Sequence, residues 1–208
     1  MRRALTLLAI TSAMLTLSVR AASAASGVPS AFNSSVDLCL VFCPVSDIPF
    51  QVVVRDLANN PVEGAVVKLD FSACPSFAHC LGVPSPITVS DANRTLSMVA
   101  DATGTVVFYM PMGGICPGSA VRIYADNVPL ATRSLASPDR DGNGFPDLKD
   151  EAAIQALVGS SDPTADFDCN GIVDDADVAF SRQHRFHACP LVVPTVPRSW
   201  GALKLIYR

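Results

Sequence analysis

Two stretches of the chain repeat one seven-position arrangement of side chains. Asp139, Asp141, Asn143, Gly144, Phe145, Asp147 and Asp150 occupy positions 1, 3, 5, 6, 7, 9 and 12 of a twelve-residue loop. Asp166, Asp168, Asn170, Gly171, Ile172, Asp174 and Asp177 occupy the same positions of a second loop. A tight loop brings alternate side chains onto one centre, and a glycine at the sixth position permits the bend. Hard cations of the Ca2+ type take about six to eight oxygen ligands, which is what this spacing of carboxylates, amides and carbonyls supplies. Few folds leave so many acids on one short segment without a cation, so this pattern constrains the chain more than any other.

The ligand assignment follows the EF-hand loop pattern. Asp139, Asp141, Asn143 and Asp150 are expected to bind one ion, with the Phe145 carbonyl, and with Asp147 directly or through water. Asp166, Asp168, Asn170, Asp177, the Ile172 carbonyl and Asp174 repeat the set, giving two Ca2+ ions. Between Asp139 and Asp177 lie 11 of the chain's 19 acidic residues, against only Arg140 and Lys149. Four carboxylates gathered in each loop repel one another, so the region is predicted to fold on metal binding. A merely solvated acidic face would have to produce two in-register matches by accident.

The N-terminus reads as an export signal. Arg2 and Arg3 precede an apolar run from Ala4 to about Val19, and Ala22-Ser23-Ala24 supplies small residues at cleavage spacing. The signal is assigned to residues 1–25, which predicts a secreted protein, extracellular or attached to the cell surface, with no transmembrane segment once the signal is removed. The formal net charge of −4 and the lack of a Lys and Arg cluster argue against nucleic acid as a partner. All seven cysteines, Cys39, Cys43, Cys74, Cys80, Cys116, Cys169 and Cys189, follow the signal, so disulfides are the expected state in an oxidising compartment. An odd number leaves at least one thiol free or intermolecular. Cys169 and Cys189 are expected to pair, and Cys74 and Cys80 bracket a short loop suited to a staple; the connectivity of Cys39, Cys43, Cys74, Cys80 and Cys116 is otherwise open. A zinc site on Cys39 and Cys43 lacks a second cysteine pair and a nearby histidine couple.

Residues 26–136 read as an all-β domain, because short runs with two-residue alternation are separated by turn residues. The runs are Phe50 to Arg55, Ala65 to Phe71, Thr95 to Ala100 and Val106 to Met110, then Val121 to Tyr124 and Leu130 to Thr132 around an Asp126-Asn127 turn. Val54-Arg55-Asp56, Asn60-Pro61-Val62-Glu63-Gly64-Ala65 and Asp101-Ala102-Thr103-Gly104 resemble the turns of bacterial Ig-like and carboxypeptidase-regulatory-like sandwich domains, which implies a spacer or adhesive module.

In residues 137–189, Ser137-Pro138 is a poor helix end, so no helix enters the first loop. Each loop instead leads into one exiting helix, Leu148 to about Val158 stopped by Gly159, and Asp175 to about His184. Ile154, Leu157 and Val158 are expected to pack on Val178 and Phe180. Two loop-helix units joined by Gly159-Ser160-Ser161-Asp162-Pro163 resemble a type I dockerin domain. That resemblance implies a small all-α calcium-binding module docking on a cohesin-type or other extracellular partner, in polysaccharide degradation. Asp139 to Asp147 also resembles the calcium repeats of thrombospondin type 3, whose loops serve stiffness. The fold expected is therefore multidomain, an all-β Ig-like sandwich followed by a dockerin-like module.

No nucleophile elbow, zinc-protease helix or phosphate-binding glycine loop occurs, and a non-catalytic protein is expected. His184 and His187, three residues apart, are spaced to share a metal, but they lie at a helix end, where histidine also interacts well with the last carbonyls, and that second reading is preferred. Residues 190–208 form a Pro-rich linker and a tail carrying Trp200, Leu203, Leu205, Ile206 and Tyr207, suited either to docking on the protein itself or to recognition by export or attachment machinery. Three functional classes remain open on sequence: a docked display protein, a calcium-stiffened adhesin, and a carbohydrate-binding or hydrolytic unit.

Overall fold

The computed structural model describes residues 27–189. The predicted export signal and the 190–208 tail lie outside the described residues. The described residues are predominantly β, with 34% strand and two helices. Its elements are β1 (Ser35–Val36), β2 (Leu40–Val41), β3 (Pro49–Val53), β4 (Val66–Asp70), β5 (Ala78–His79), β6 (Thr88–Ser90), β7 (Thr95–Val99), β8 (Thr105–Tyr109), β9 (Met112–Gly113), β10 (Cys116–Ala125), β11 (Val128–Ala136), α1 (Leu148–Gln155) and α2 (Asp175–His184). A curled six-stranded sheet runs β2-β11-β10-β4-β7-β6, a three-stranded sheet runs β1-β3-β8, and β5 pairs with β9.

The alternation in sequence becomes alternation in burial. Phe50 and Val52 of β3, Val67 and Leu69 of β4, and Val106 and Phe108 of β8 are buried, while their neighbours face outward or sit half-buried. These residues of both sheets share one core with Leu96, Val121, Ile123 and Leu135. Each such side chain contributes about 1.5–3 kcal/mol when fully removed from water, so the shared core is the main cohesive term. The β10–β11 hairpin turns on Asp126 and Asn127, with φ of 46° and 67°, between the paired residues Ala125 and Val128. Both turn residues carry positive φ, as a two-residue hairpin loop that follows strand twist requires.

The expected separate all-α module is not present, and the dockerin resemblance does not hold. The helices pack into a second core that includes Val41 of β2 and Ala136 of β11 beside Ile154, Ala165, Phe167, Val173 and Val178. Leu157 and Phe180 pack against this core as expected, whereas Val158 is 46% exposed. The β strand β2 joins β11 in parallel, pairing Leu40 with Leu135 and Val41 with Ala136. This edge presents one face to each core, so the boundary drawn at residue 136 runs through packed side chains. No helix leads into the first loop, since β11 runs to Ala136.

The disulfides also differ from expectation. Cys74 pairs with Cys116, Cys39 with Cys169 and Cys80 with Cys189, leaving Cys43 as the one thiol, buried. Neither the Cys169–Cys189 clip nor the Cys74–Cys80 staple forms. Two of the three bonds instead tie the loop-helix region to the β region across 130 and 109 residues of chain. Closing loops of that length removes several kcal/mol of denatured-state entropy, on the order of 4–5 kcal/mol each in the chain-entropy account. Three disulfides fit an oxidising compartment. Among the described residues no helix is long and apolar enough to cross a membrane.

Candidate metal centres

Each acidic loop is built by the same hydrogen bonds. In the first, Asp139 accepts from the backbone N–H groups of Asn143 at 3.1 Å and Gly144 at 2.8 Å, and Asp141 accepts from Asn143 at 3.2 Å. The Asn143 amide oxygen accepts from the Phe145 N–H at 2.8 Å, and Asp150 accepts from Arg140 at 3.0 Å and Asp147 at 3.0 Å. In the second, Asp166 accepts from Asn170 and Gly171, Asp168 from Asn170, Asn170 from Ile172, and Asp177 from Phe167 and Asp174. Position by position the two sets coincide. Gly144 and Gly171 stand at φ of 82° and 94°, the left-handed region that side chains with a Cβ rarely adopt.

The carboxylate oxygens of Asp139, Asp141 and Asp150 lie within 4.8 Å of one another, as do those of Asp166, Asp168 and Asp177. Positions 1, 3 and 12 thus converge in both loops. Asp147 and Asp174 stand apart from these trios: each is the N-cap of its helix and closes a capping box with Asp150 or Asp177. A capping carboxylate satisfies N–H groups that the first helical turn leaves without partners. Phe145 and Ile172 are partly exposed at 39% and 46%, with Phe145 against Phe186 at 5.8 Å between rings.

Burial and neighbouring acids raise the proton affinity of Asp139, Asp150 and Asp166. Asp139 is fully buried, and burial together with the charges of Asp150 and Asp141 pushes its carboxyl up to about 6, against the pull of the Gly144 and Asn143 N–H groups. Burial also raises Asp150 and Asp166, aided by Asp141 for the former and by Asp168 and Asp177 for the latter. The donor set is oxygen alone, hard and anionic. It suits a Ca2+-type ion and lacks the nitrogen and sulfur atoms that zinc favours.

Neighbouring groups fix how the loops sit. The half-buried Arg140 guanidinium donates to the Thr164 carbonyl at 3.0 Å and its hydroxyl at 3.1 Å, joining the first loop to the approach of the second. Glu151 accepts from Arg182 at 2.7 Å and Arg185 at 2.8 Å, joining α1 to α2. The first loop also touches the β region directly: the Gly114 N–H donates to the Asp139 carbonyl at 2.6 Å. A Cβ on Gly113 would overlap the Asp139 carboxylate. Sequence gave no sign of this contact, because glycines at 113 and 114 look like any turn. Comparison with protein-family models, with curated proteins and with solved structures finds no match, so neither the dockerin nor the Ig-like resemblance gains support there.

Proposed function

We propose that this is an exported, non-catalytic structural or adhesive protein stabilised by two Ca2+ ions, one per acidic loop. The observation that carries the reading is the convergence of positions 1, 3 and 12 in both loops on the same hydrogen-bonded frame. Asp139, Asp141 and Asp150 would hold one ion and Asp166, Asp168 and Asp177 the other. The Asn143 and Asn170 amide oxygens and the Phe145 and Ile172 carbonyls complete each set, with Asp147 and Asp174 reaching through water while they cap α1 and α2. The ions supply positive charge that offsets carboxylate repulsion. In the protein that offset locks the helices onto Val41 and Ala136, so calcium stiffens the junction of β region and helices. Docking on a cohesin-type partner and a role in polysaccharide degradation rested on the dockerin resemblance and fall with it.

Calorimetric titration of residues 26–208 is expected to show two calcium sites. Asp139→Ala removes one and Asp166→Ala the other, with far-UV spectra unchanged at saturating calcium. Absence of binding at millimolar calcium would sink the proposal. A second expected result concerns the β-region contact. Gly113→Ala drives a methyl into the Asp139 carboxylate, and overpacking of that kind costs about 1–3 kcal/mol. The first site should weaken about tenfold or more while the second keeps its affinity; equal loss at both sites would show general unfolding instead.

A further inference from the structure

Outside the acidic loops, three side chains far apart in sequence meet at the end of α2. Cys43 follows β2, Asp47 lies four residues on, and His184 closes α2, 137 residues beyond Asp47. Their sulfur, oxygen and nitrogen atoms lie within 4.8 Å of one another, with Cys43 and His184 buried and Asp47 exposed. Cys43 Sγ donates to Asp47 Oδ1 at 2.8 Å, and His184 Nε2 stands 3.3 Å from Asp47 Oδ2.

The second observation is a mismatch of hydrogen-bonding roles. His184 Nδ1 lies 2.9 Å from the Phe180 carbonyl, which can only accept, so Nδ1 carries the proton. In the neutral ring Nε2 is then a bare lone pair, and it faces a carboxylate oxygen, a second acceptor. Two acceptors at that distance need a proton or a cation between them. An Nδ1–H bonded to a backbone carbonyl with Nε2 left free is also how a metal-binding histidine is held. One more nitrogen adjoins the group: His187 packs edge-on to His184 at 5.4 Å between rings, and its buried Nδ1 has no hydrogen-bond partner.

We propose that Cys43, Asp47 and His184 form a third metal site, which takes Zn2+ and pins the C-terminal end of α2 to the segment after β2. Thiolate, carboxylate and neutral imidazole together balance the two charges of the ion. A tetrahedral site needs one more ligand, for which a water serves. On binding, the metal takes the place of the thiol proton, which leaves to solvent, and fills the gap between Nε2 and the carboxylate. Donor type sorts the two metals: the acidic loops offer oxygen alone, and this group offers sulfur and nitrogen. The sequence shows only the histidine pair at the end of α2 and hides the rest of the site, since Asp47 lies 137 residues before His184.

The test uses residues 26–208 with calcium saturating, so that the acidic loops are filled. Cobalt(II) serves as a spectroscopic stand-in and Zn2+ is titrated by calorimetry. One equivalent of cobalt should produce thiolate-to-metal charge-transfer absorption, bleached by one equivalent of Zn2+. Cys43→Ser should abolish the absorption, and His184→Gln should weaken Zn2+ binding by about 100-fold or more, as ligand loss exceeds the effect of losing an outer partner. Retention of both calcium sites in these variants reports that they fold. Lack of the absorption in the unmutated protein would overturn the proposal without reference to any variant. Absorption that survives Cys43→Ser, or Zn2+ affinity untouched by His184→Gln, would overturn it as well.

Discussion

Raising free calcium from chelator-buffered levels to about a hundred times the dissociation constant is expected to lift the thermal midpoint by about 10–20 °C. A ligand that binds only the folded state stabilises it by about 2.7 kcal/mol at that excess, so two sites give about 5 kcal/mol. A chain of this length shifts by about 2–4 °C for each kcal/mol. The gain is coupled to the whole fold, because Asp139 bonds to Gly114 through its carbonyl and lies against Gly113 with its carboxylate. Magnesium at the same ionic strength is the control, since it is smaller and dehydrates reluctantly. Scanning calorimetry makes the measurement. A shift below about 2 °C, or an equal one with magnesium, would remove calcium from the account of stability. The Cys39–Cys169 and Cys80–Cys189 bonds hold the second loop-helix unit to the β region without metal, and the Glu151 contacts with Arg182 and Arg185 tie α1 to it. The metal-free protein is therefore expected to keep its strand signal, and the sequence-based expectation of folding only on metal binding narrows to a tightening of the loops.

Local features were legible because they depend on neighbours in sequence. Alternation marked β3, β4, β7 and β8 within about a residue or two, the margin usual for element ends. Asp126-Asn127 marked the hairpin because few residues tolerate positive φ, and Asp147 and Asp174 fall where helices start. Positions 1, 3 and 12 of each loop converge for the same reason. What the chain withheld was partnership over distance. Loop closure grows only slowly more costly with length, so the nearness of Cys169 and Cys189 in sequence carried little weight against the packing that sets Cys169 beside Cys39 and Cys189 beside Cys80. The dockerin resemblance failed likewise. A loop followed by a helix reports the apolar face it must bury, and does not report that Val41 and Ala136 cover it. Cys43 and His184 looked like an odd thiol and a helix-end histidine until the fold set them side by side.

Truncating Ile154 to alanine is expected to destabilise the entire protein by about 2–5 kcal/mol, the usual range for such a cut in a core. Ile154 is fully buried on α1 and belongs to the core shared with Val41, Ala136, Phe167 and Val178. The size of the loss depends on how far the site can collapse, and the Cys39–Cys169 bond beside this core restrains collapse and favours the upper half of the range. At about 2–4 °C per kcal/mol the midpoint should fall by about 7–20 °C. The form of the transition is as informative as its position. Because β2 and β11 contribute to both cores, strand and helix signals should be lost together in one step at saturating calcium. Val158→Ala, at a position 46% exposed on the same segment, is the matched control and should stay within about 0.5 kcal/mol. Helical signal melting ahead of an unshifted strand transition would mean that the loop-helix region is an independent unit after all, and that the edge formed by Val41 and Ala136 is a contact between two folds instead of the floor of one.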